Sequence, residues 1–506
     1  MQRRDFIKTA ALLPLPLILK SCGESKGSLS GKIVLNSVAE SGHLLFNAKK
    51  FAKGQDWNIE TLIVGGGVAG LSAAFQLLNK DYLVVEMADR LGGTSSSQHW
   101  ADLNFSMGAH YDLEYPETFG KEVLHMLEQM GLIYHQPWKK SWTFHDRSQI
   151  IAQRQKEQCY EAGVMRPDVL PEQLKNEKFS DLMMSWVSKM PMPTRIIDAS
   201  YHFLNHQTFK DYLVEQINPD PSFFRYIDHL MRDDYGGATH EVSALAGIHY
   251  FSCRPYFDQV VDLFSPMQGN AYFVEKIASF LNRNRIMTQQ MVASIANKNS
   301  YFEVTLIDLE KQSKRIVRAG NIVYAGQKNA LKYVYPDDYP LFKDNKYAPW
   351  LVISFVIKDR GDLSVFTQPF WQNEMITDDP TFLGFTDSFA QQRKKSPYRV
   401  FTAYYCLPAS SREDLINLPA TKEVIAEKTL NYLEEYLDTG IRDSIEKIYI
   451  RPLGHAMPIP EPGYLFNDKN KYRSNERMVY AGVDNARLPL FFEAVDSGIM
   501  AAQHLF

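Results

Sequence analysis

The apolar residues of this chain fall into two rhythms. Leu62, Ile63 and Val64 form an unbroken apolar run, and so do Tyr82 to Val85 within "YLVVE". Such runs predict strands covered on both faces. "PWLVISFVI" and "RVFTAYYCL" predict longer strands. Ser72 to Leu78, with Ala73, Ala74 and Leu77 on one side, predicts a helix, as do the 3.6-residue patterns of "KEVLHMLEQMGL" and "KEVIAEKTLNYLEEYL". Near the far end, Val479 to Gly482 predicts a strand and Glu493 to His504 a helix, with Ala494, Gly498, Ala501 and Ala502 on one side. The small residues suit close backbone packing.

The first strand and helix are joined by "GGGVAG", which fits Gly65-x-Gly67-x-x-Gly70. In a dinucleotide turn Gly65 allows the tight bend and Gly67 lets the main chain approach a pyrophosphate. Gly70 lets the helix pack on the strand, with the helix N-terminus facing the phosphate charge. Glu86 ends the next strand, where an acid accepts hydrogen bonds from ribose hydroxyls and repels a 2′-phosphate. "MADRLGGTSSS" then places Met87, Arg90, Gly92, Gly93 and Thr94 at the spacing E-x-x-x-R-x-G-G. A nicotinamide domain has no need of this second glycine pair. FAD does, because its flavin half runs on past the pyrophosphate. The absence of a second dinucleotide turn disfavours a reductase fed by NADPH.

With 506 residues the chain has room for more than one domain. A formal net charge of −4 gives no electrostatic argument for nucleic acid. Cys22, Cys159, Cys253 and Cys406 have no C-x-x-C spacing, so neither a clustered metal site nor a dithiol centre is expected. Aromatic residues make up 13% of the chain, enough for either a large core or an apolar substrate chamber. At the N-terminus, Arg3, Arg4, Phe6, Ile7 and Lys8 precede a short apolar stretch from Ala10 to Leu19. This resembles a twin-arginine export signal, the type that carries folded proteins with cofactors already inserted. Leu19-Lys20-Ser21-Cys22 resembles a lipoprotein cleavage box, with Lys20 out of place in it. A periplasmic protein is expected, with a lipid-anchored one as the open alternative. Its partners would then be the export machinery, a small organic substrate and, if Cys22 is lipidated, a membrane surface.

From about residue 59 onward the sequence resembles the flavin-containing amine oxidase superfamily, which includes polyamine oxidases, protoporphyrinogen oxidases and phytoene desaturases. The segments that carry the resemblance are the glycine turn, the second glycine pair, "FSMGAHYD", "SPMQGNAYFVEKIASFL", "QQMVASI", "AGNIVYAG" and the closing "RMVYAGVDNARLPLFFEAVDSGIMAAQHLF". The resemblance implies an α/β fold in which a Rossmann-type FAD-binding domain is interleaved with an α+β substrate domain of mixed sheet plus helices. The implied segments are 1–22 for the signal and 23–58 for a tether. Residues 59–110, 265–330 and 475–506 make the cofactor domain, and 111–264 with 331–474 the substrate domain. It also implies cofactor contacts from Ala69, Met107, Gly108, Ala109, His110, Val292, Gly482, Val483 and Asp484. The N-terminus of the last helix, near Ala494 and Val495, would aim peptide N–H groups at the flavin edge that becomes negative on reduction. Where the superfamily reads Ala-Gly-Asp, this chain reads Ala481-Gly482-Val483-Asp484. Either Asp484 acts from one position later, or the main-chain N–H of Val483 acts alone.

On the substrate side, Trp350 falls where many amine-oxidising members carry a lysine, and Lys346 lies four residues earlier. Lys346 is expected to be a solvated loop residue. His110 and His455 are candidate proton acceptors, since an unperturbed imidazole titrates near neutrality. "MRDDYGG", with Asp233 and Asp234 beside Arg232, is expected to be a salt-bridged turn rather than a grip for a cationic substrate. The expectation is an oxidoreductase abstracting hydride from a C–N or C–C bond, its electrons passing to oxygen or a membrane acceptor. A redox-silent FAD module for binding or assembly is the alternative.

Overall fold

The computed structural model describes residues 29–37, 42, 51–108, 118–151, 157–174, 177–253, 263–359, 370–391, 396–467 and 473–506. The export signal with Cys22, and the pair Ala109 and His110, lie outside the described residues.

The elements that frame the site are β1 (Trp57–Val64), α1 (Val68–Gln76), β2 (Tyr82–Val85), α2 (Phe223–Tyr235), β3 (Ile286–Met287), β4 (Gln290–Asn297), β5 (Phe302–Asp308) and β6 (Ser313–Tyr324). They continue with β7 (Tyr347–Lys358), β8 (Gln372–Ile376), β9 (Phe382–Asp387), β10 (Tyr398–Cys406), α3 (Leu418–Leu437), β11 (Ile445–Pro458), β12 (Met478–Tyr480) and α4 (Phe491–Gln503). One sheet runs β3-β2-β1-β6-β5-β4, with β12 also on β6. Its β3-β2-β1-β6 core is parallel, and β5 and β4 extend it antiparallel. The second sheet is mixed and centres on β11-β7-β10-β9-β8. The fold is therefore α/β, a Rossmann-type sheet joined to a mixed sheet with helices.

The unbroken apolar runs work as the sequence predicts. Ile63 and Val84 face a cluster shared with α1 and α4, while Leu62, Val64, Leu83 and Val85 face a second cluster with β5 and β6. Both faces are dry, which is why the strands do not alternate with polar residues. The mixed sheet is likewise covered twice. Trp350, Val352, Leu383 and Tyr404 pack under α2 and its neighbours. Leu351, Ile353, Phe355, Phe401 and Tyr405 pack under α3.

Three details differ from expectation. Residues 29–37, placed in a tether, instead supply the strand Ile33–Leu35, which pairs in parallel with Ile448–Ile450 of β11. Three consecutive apolar side chains against an open sheet edge explain it. The segment 111–264, where "KEVLHMLEQMGL" predicts helix, also contains strands at Glu157–Glu161 and Val164–Arg166 that extend the mixed sheet. α1 begins at Val68 rather than Ser72, so its first turn sits on the glycine turn itself.

The opening helix α1 and the closing helix α4 touch through bare backbone. A Cβ at Gly498 would lie 2.2 Å from Ala69 O, and one at Gly70 would lie 2.0 Å from Gly65 O. Neither partner is a side chain that can swing aside. Gly498→Ala is expected to destabilise the protein by roughly 1–3 kcal/mol, read as a lower urea midpoint; an unchanged midpoint means that the helices are not locked at this crossing.

Candidate cofactor and active site

The glycine turn is fixed from below by main-chain bonds. Gly65 N–H donates to Val85 O at 2.8 Å, with Gly65 at φ +105°. Glu86 then locks the turn to the end of β2: Oε2 accepts Gly66 N–H at 2.7 Å and Oε1 accepts Ala88 N–H at 2.8 Å. Burial holds this carboxyl above the usual range, and the bonds from Ala88 and Gly66 oppose that. Each carboxylate oxygen has a second lone pair left for a hydroxyl donor. Gly67 is different from its two neighbours in the motif. Its backbone is ordinary extended (φ −77°, ψ 180°), and a Cβ there would meet nothing closer than Gly92 O at 3.9 Å. Among the described residues no contact requires glycine at this position. What its missing side chain leaves open is the space before the first turn of α1, whose N-cap has no side-chain acceptor.

Gly92 and Gly93 lie against this turn, Gly92 N–H donating to Gly66 O at 2.8 Å. Gly93 and Thr94 are exposed. Arg90 is exposed as well and holds Ser97 O at 3.0 Å, so its guanidinium braces the following strand. Gly108 packs against Thr94 O, and Met107 is buried with its sulfur 3.5 Å from Ser354 Oγ. Met107 therefore offers main chain, not side chain, to the cleft. Met87 is half-buried against Met291 and Ile307, and Val292 sits half-buried in β4, two residues beyond the Gln290 N–H that donates to Glu86 O.

The closing segment resolves the displaced aspartate. Asp484 turns inward: Oδ1 pairs with Lys328 Nζ at 2.9 Å, and Oδ2 accepts Lys328 N–H at 2.8 Å and Tyr347 OH at 3.3 Å. Lys328 is fully buried, and its Nζ also donates to Ala481 O at 2.7 Å. The carboxylate is thus taken up inside the protein. Gly482 N–H is held by Ser497 Oγ at 2.9 Å, whereas Val483 N–H has no acceptor among the described residues. Beside them Asn485 is 2% exposed, and neither amide atom has a partner among the described residues. An open helix N-terminus, a free peptide N–H and an orphaned buried amide form the donor set that an extended dinucleotide needs. These residues fit FAD.

The helix α4 starts at Phe491, so Ala494 N–H is already bonded to Leu490 O at 3.1 Å. The first turn of the helix thus begins ahead of Ala494 and Val495, and the Val495 side chain is core. The first turn also carries a buried charge network. Glu493 accepts Thr194 N–H at 2.6 Å and Arg487 Nη1 at 3.0 Å. Asp496 accepts Arg487 Nη1 at 2.7 Å and Arg195 Nε at 2.8 Å.

On the other side of the cleft, residues 451–457 of β11 are all half-buried; Arg451 and Leu453 lie opposite Val352 and Trp350 of β7, and the register then breaks before Met457. His455 packs edge-on against Tyr347 at 5.3 Å. Burial, and next the Arg412 charge, push its imidazole down to about 4. The expectation that it titrates near neutrality is therefore corrected: it stays neutral through the physiological range. Trp350, 8% exposed, pairs across the sheet with Leu453 and stands edge-on to Tyr404 at 6.1 Å. It is an apolar wall. Lys346 is exposed and paired with Glu461. Asp233 ends α2 within 3.5 Å of Gln372 Nε2. Sequence reasoning missed Lys328, Arg451 and Asn485, each of which reads as an ordinary polar loop or strand residue until the fold assembles.

Residues 63–129 match the family described as an NAD(P)-binding Rossmann-like domain. An L-amino acid oxidase of Cerastes cerastes is 25% identical over 287 residues, covering 55% of this chain and 53% of that one. The chain thus spans about half the length of the curated relatives it matches. Among solved structures, a redesigned putrescine oxidase aligns with a TM-score of 0.63 at 13% identity, covering 89% of this chain and 99% of its own. Cyclohexylamine oxidase from Brevibacterium oxydans IH-35A aligns with a TM-score of 0.60 at 16% identity, covering 88% and 98%.

Two outcomes follow from the site's charges. Lys328→Met or Asp484→Asn alone is expected to lower stability by about 3–5 kcal/mol, whereas the double variant Lys328→Met/Asp484→Leu recovers most of it; denaturant titration measures all three. The neutral His455 of the folded chain opposes a protonatable one in the unfolded chain, so acidification from about 6.5 towards about 4 removes stability through this group. His455→Asn is expected to flatten urea midpoint against pH over that window; an equally steep profile contradicts the shift.

Proposed function

We propose that this chain, which resembles the flavin-containing amine oxidase superfamily, is an exported FAD-dependent oxidoreductase taking hydride from the C–N bond of an organic amine. The observation that carries the reading is Gly67, a glycine with no internal reason to be one, at an open helix N-terminus facing the second glycine pair. In this reading the first turn of α1 holds the pyrophosphate and Glu86 takes the ribose hydroxyls. Val483 N–H and the Asn485 amide hold the chain that runs on to the flavin. Bound FAD supplies the two-electron acceptor; the protein supplies position and electrostatics.

The substrate would lie over the β11 face, between Leu453, His455 and the wall built by Trp350 and Tyr404. Neutral His455 there accepts a hydrogen bond or a proton without introducing charge. The guanidinium groups of Arg412 and Arg451 border the same face. Positive charge beside the substrate disfavours an ammonium and favours the neutral amine, the form with a lone pair able to drive hydride loss. The amino acid and amine oxidases to which the chain is similar support an amine over a hydrocarbon substrate. Export is supported by Arg3, Arg4 and the apolar stretch behind them, and reoxidation by oxygen or a membrane acceptor is part of the same proposal.

Anaerobic mixing of the purified yellow protein with L-amino acids and with aliphatic mono- and diamines tests the reaction. Bleaching of the flavin band by at least one of these donors is expected, faster at higher pH as the amine loses its proton. A band that no amine bleaches contradicts an amine-oxidising role and leaves the redox-silent module.

A further inference from the structure

The cleft-facing stretch of β11 is bordered by two guanidinium groups whose partners are all main chain. Arg451 Nη1 donates to Met107 O at 2.8 Å, and Nη2 donates to Gly93 O at 2.7 Å. Arg412 Nε donates to Gly454 O at 2.8 Å, and Nη2 donates to Tyr347 O at 3.1 Å. Neither has an ion-pair partner among the described residues. Buried arginines elsewhere in the protein do: Arg487 with Glu493 and Asp496, Arg399 with Asp387, and Arg315 with Asp308. The carboxylates at this end of the cleft are already taken, Asp484 by Lys328 and Glu461 by Lys346. Burial, and then the neighbouring Arg90 charge, lower the Arg451 guanidinium to about 10, which leaves it protonated at neutral pH.

A half-buried cation bonded only to neutral carbonyls is incompletely compensated. The two carbonyls that Arg451 grips belong to the second glycine pair and to the Met107–Gly108 segment, the peptide groups that border the proposed cofactor site. We propose that the missing counter-ion is the reduced flavin: Arg451 stabilises its anionic form and so raises the reduction potential of the bound cofactor. The charge comes from the mixed sheet, not from the Rossmann unit, so the sheet that forms the substrate wall also tunes the cofactor. This inference rests on the FAD reading given above.

The test uses the FAD-loaded protein, with Arg451→Met and Arg451→Lys beside the wild type. The readouts are the two-electron reduction potential, from equilibration with redox dyes, and the FAD dissociation constant. Arg451→Met is expected to lower the potential by about 30 mV or more, a tenfold loss in the reduction equilibrium, while Arg451→Lys keeps most of it. An unchanged potential in folded, yellow Arg451→Met overturns the inference and leaves FAD binding standing. A wild-type protein that takes up no FAD overturns both.

Should Arg451→Met fail to fold, the wild type decides alone. One proton per two electrons shifts the potential by ~30 mV per pH unit, and two protons shift it by ~59 mV. The lower slope is expected to persist through the acid range in which free reduced flavin takes up its second proton. A steepening there, as in free FAD, overturns the inference.

Discussion

A helix at the end of the chain lies against a helix near its beginning at backbone distance. Gly498 rests on Ala69 O, which sets the position of α4 on α1, and Gly70 rests on Gly65 O, which sets α1 on its own glycine turn. That contact brings the Gly482–Asn485 turn beside the glycine turn, although more than four hundred residues separate them in sequence. It is the constraint from which the cofactor cradle follows. A side chain at Gly498 would push the two turns apart, and the donors they offer would no longer address one extended ligand.

The same closing helix is tied to the other half of the molecule by charge. Arg487, Glu493 and Asp496 are fully or almost fully buried, and Arg195 and Thr194 N–H reach them from the segment that precedes the helices over the mixed sheet. Removing such groups from water is offset only when each meets a partner. The network therefore specifies one arrangement of the two halves more than it adds stability. Arg451 makes a second tie, from β11 to Gly93 and Met107, and it differs in having no carboxylate partner among the described residues. One junction is electrically closed and the other is left open towards the cleft.

The parts of the fold legible in sequence were those governed by local rules. Apolar runs without alternation marked the buried strands, and the spacing of Gly65, Gly67, Gly70 and Glu86 marked the cradle floor, because those residues act within one βαβ unit. The displaced Asp484 was visible as a departure, but its outcome was not. Its partner Lys328 lies about 150 residues earlier, and nothing in "GQKNAL" distinguishes a buried lysine from a solvated one. His455 was read as a candidate without its strand and with the wrong basicity, since burial and Arg412 become neighbours only in three dimensions. The start of α4 was read late for a related reason: Phe491 and Phe492 look like strand or core residues, and only the helix geometry places them in its first turn.

The account stands on the space in front of α1 being kept for a bound dinucleotide. Gly67→Val addresses that space, because the φ and ψ of Gly67 are open to any residue and, chain neighbours aside, the nearest described atom to the added Cβ is Gly92 O at 3.9 Å. The measurement is FAD affinity of the variant and the wild type by fluorescence titration, with circular dichroism and the urea midpoint to verify the fold. The account predicts a folded variant whose affinity falls at least tenfold, about 1.4 kcal/mol. A Gly67→Val protein that folds and binds FAD as tightly as the wild type would contradict it.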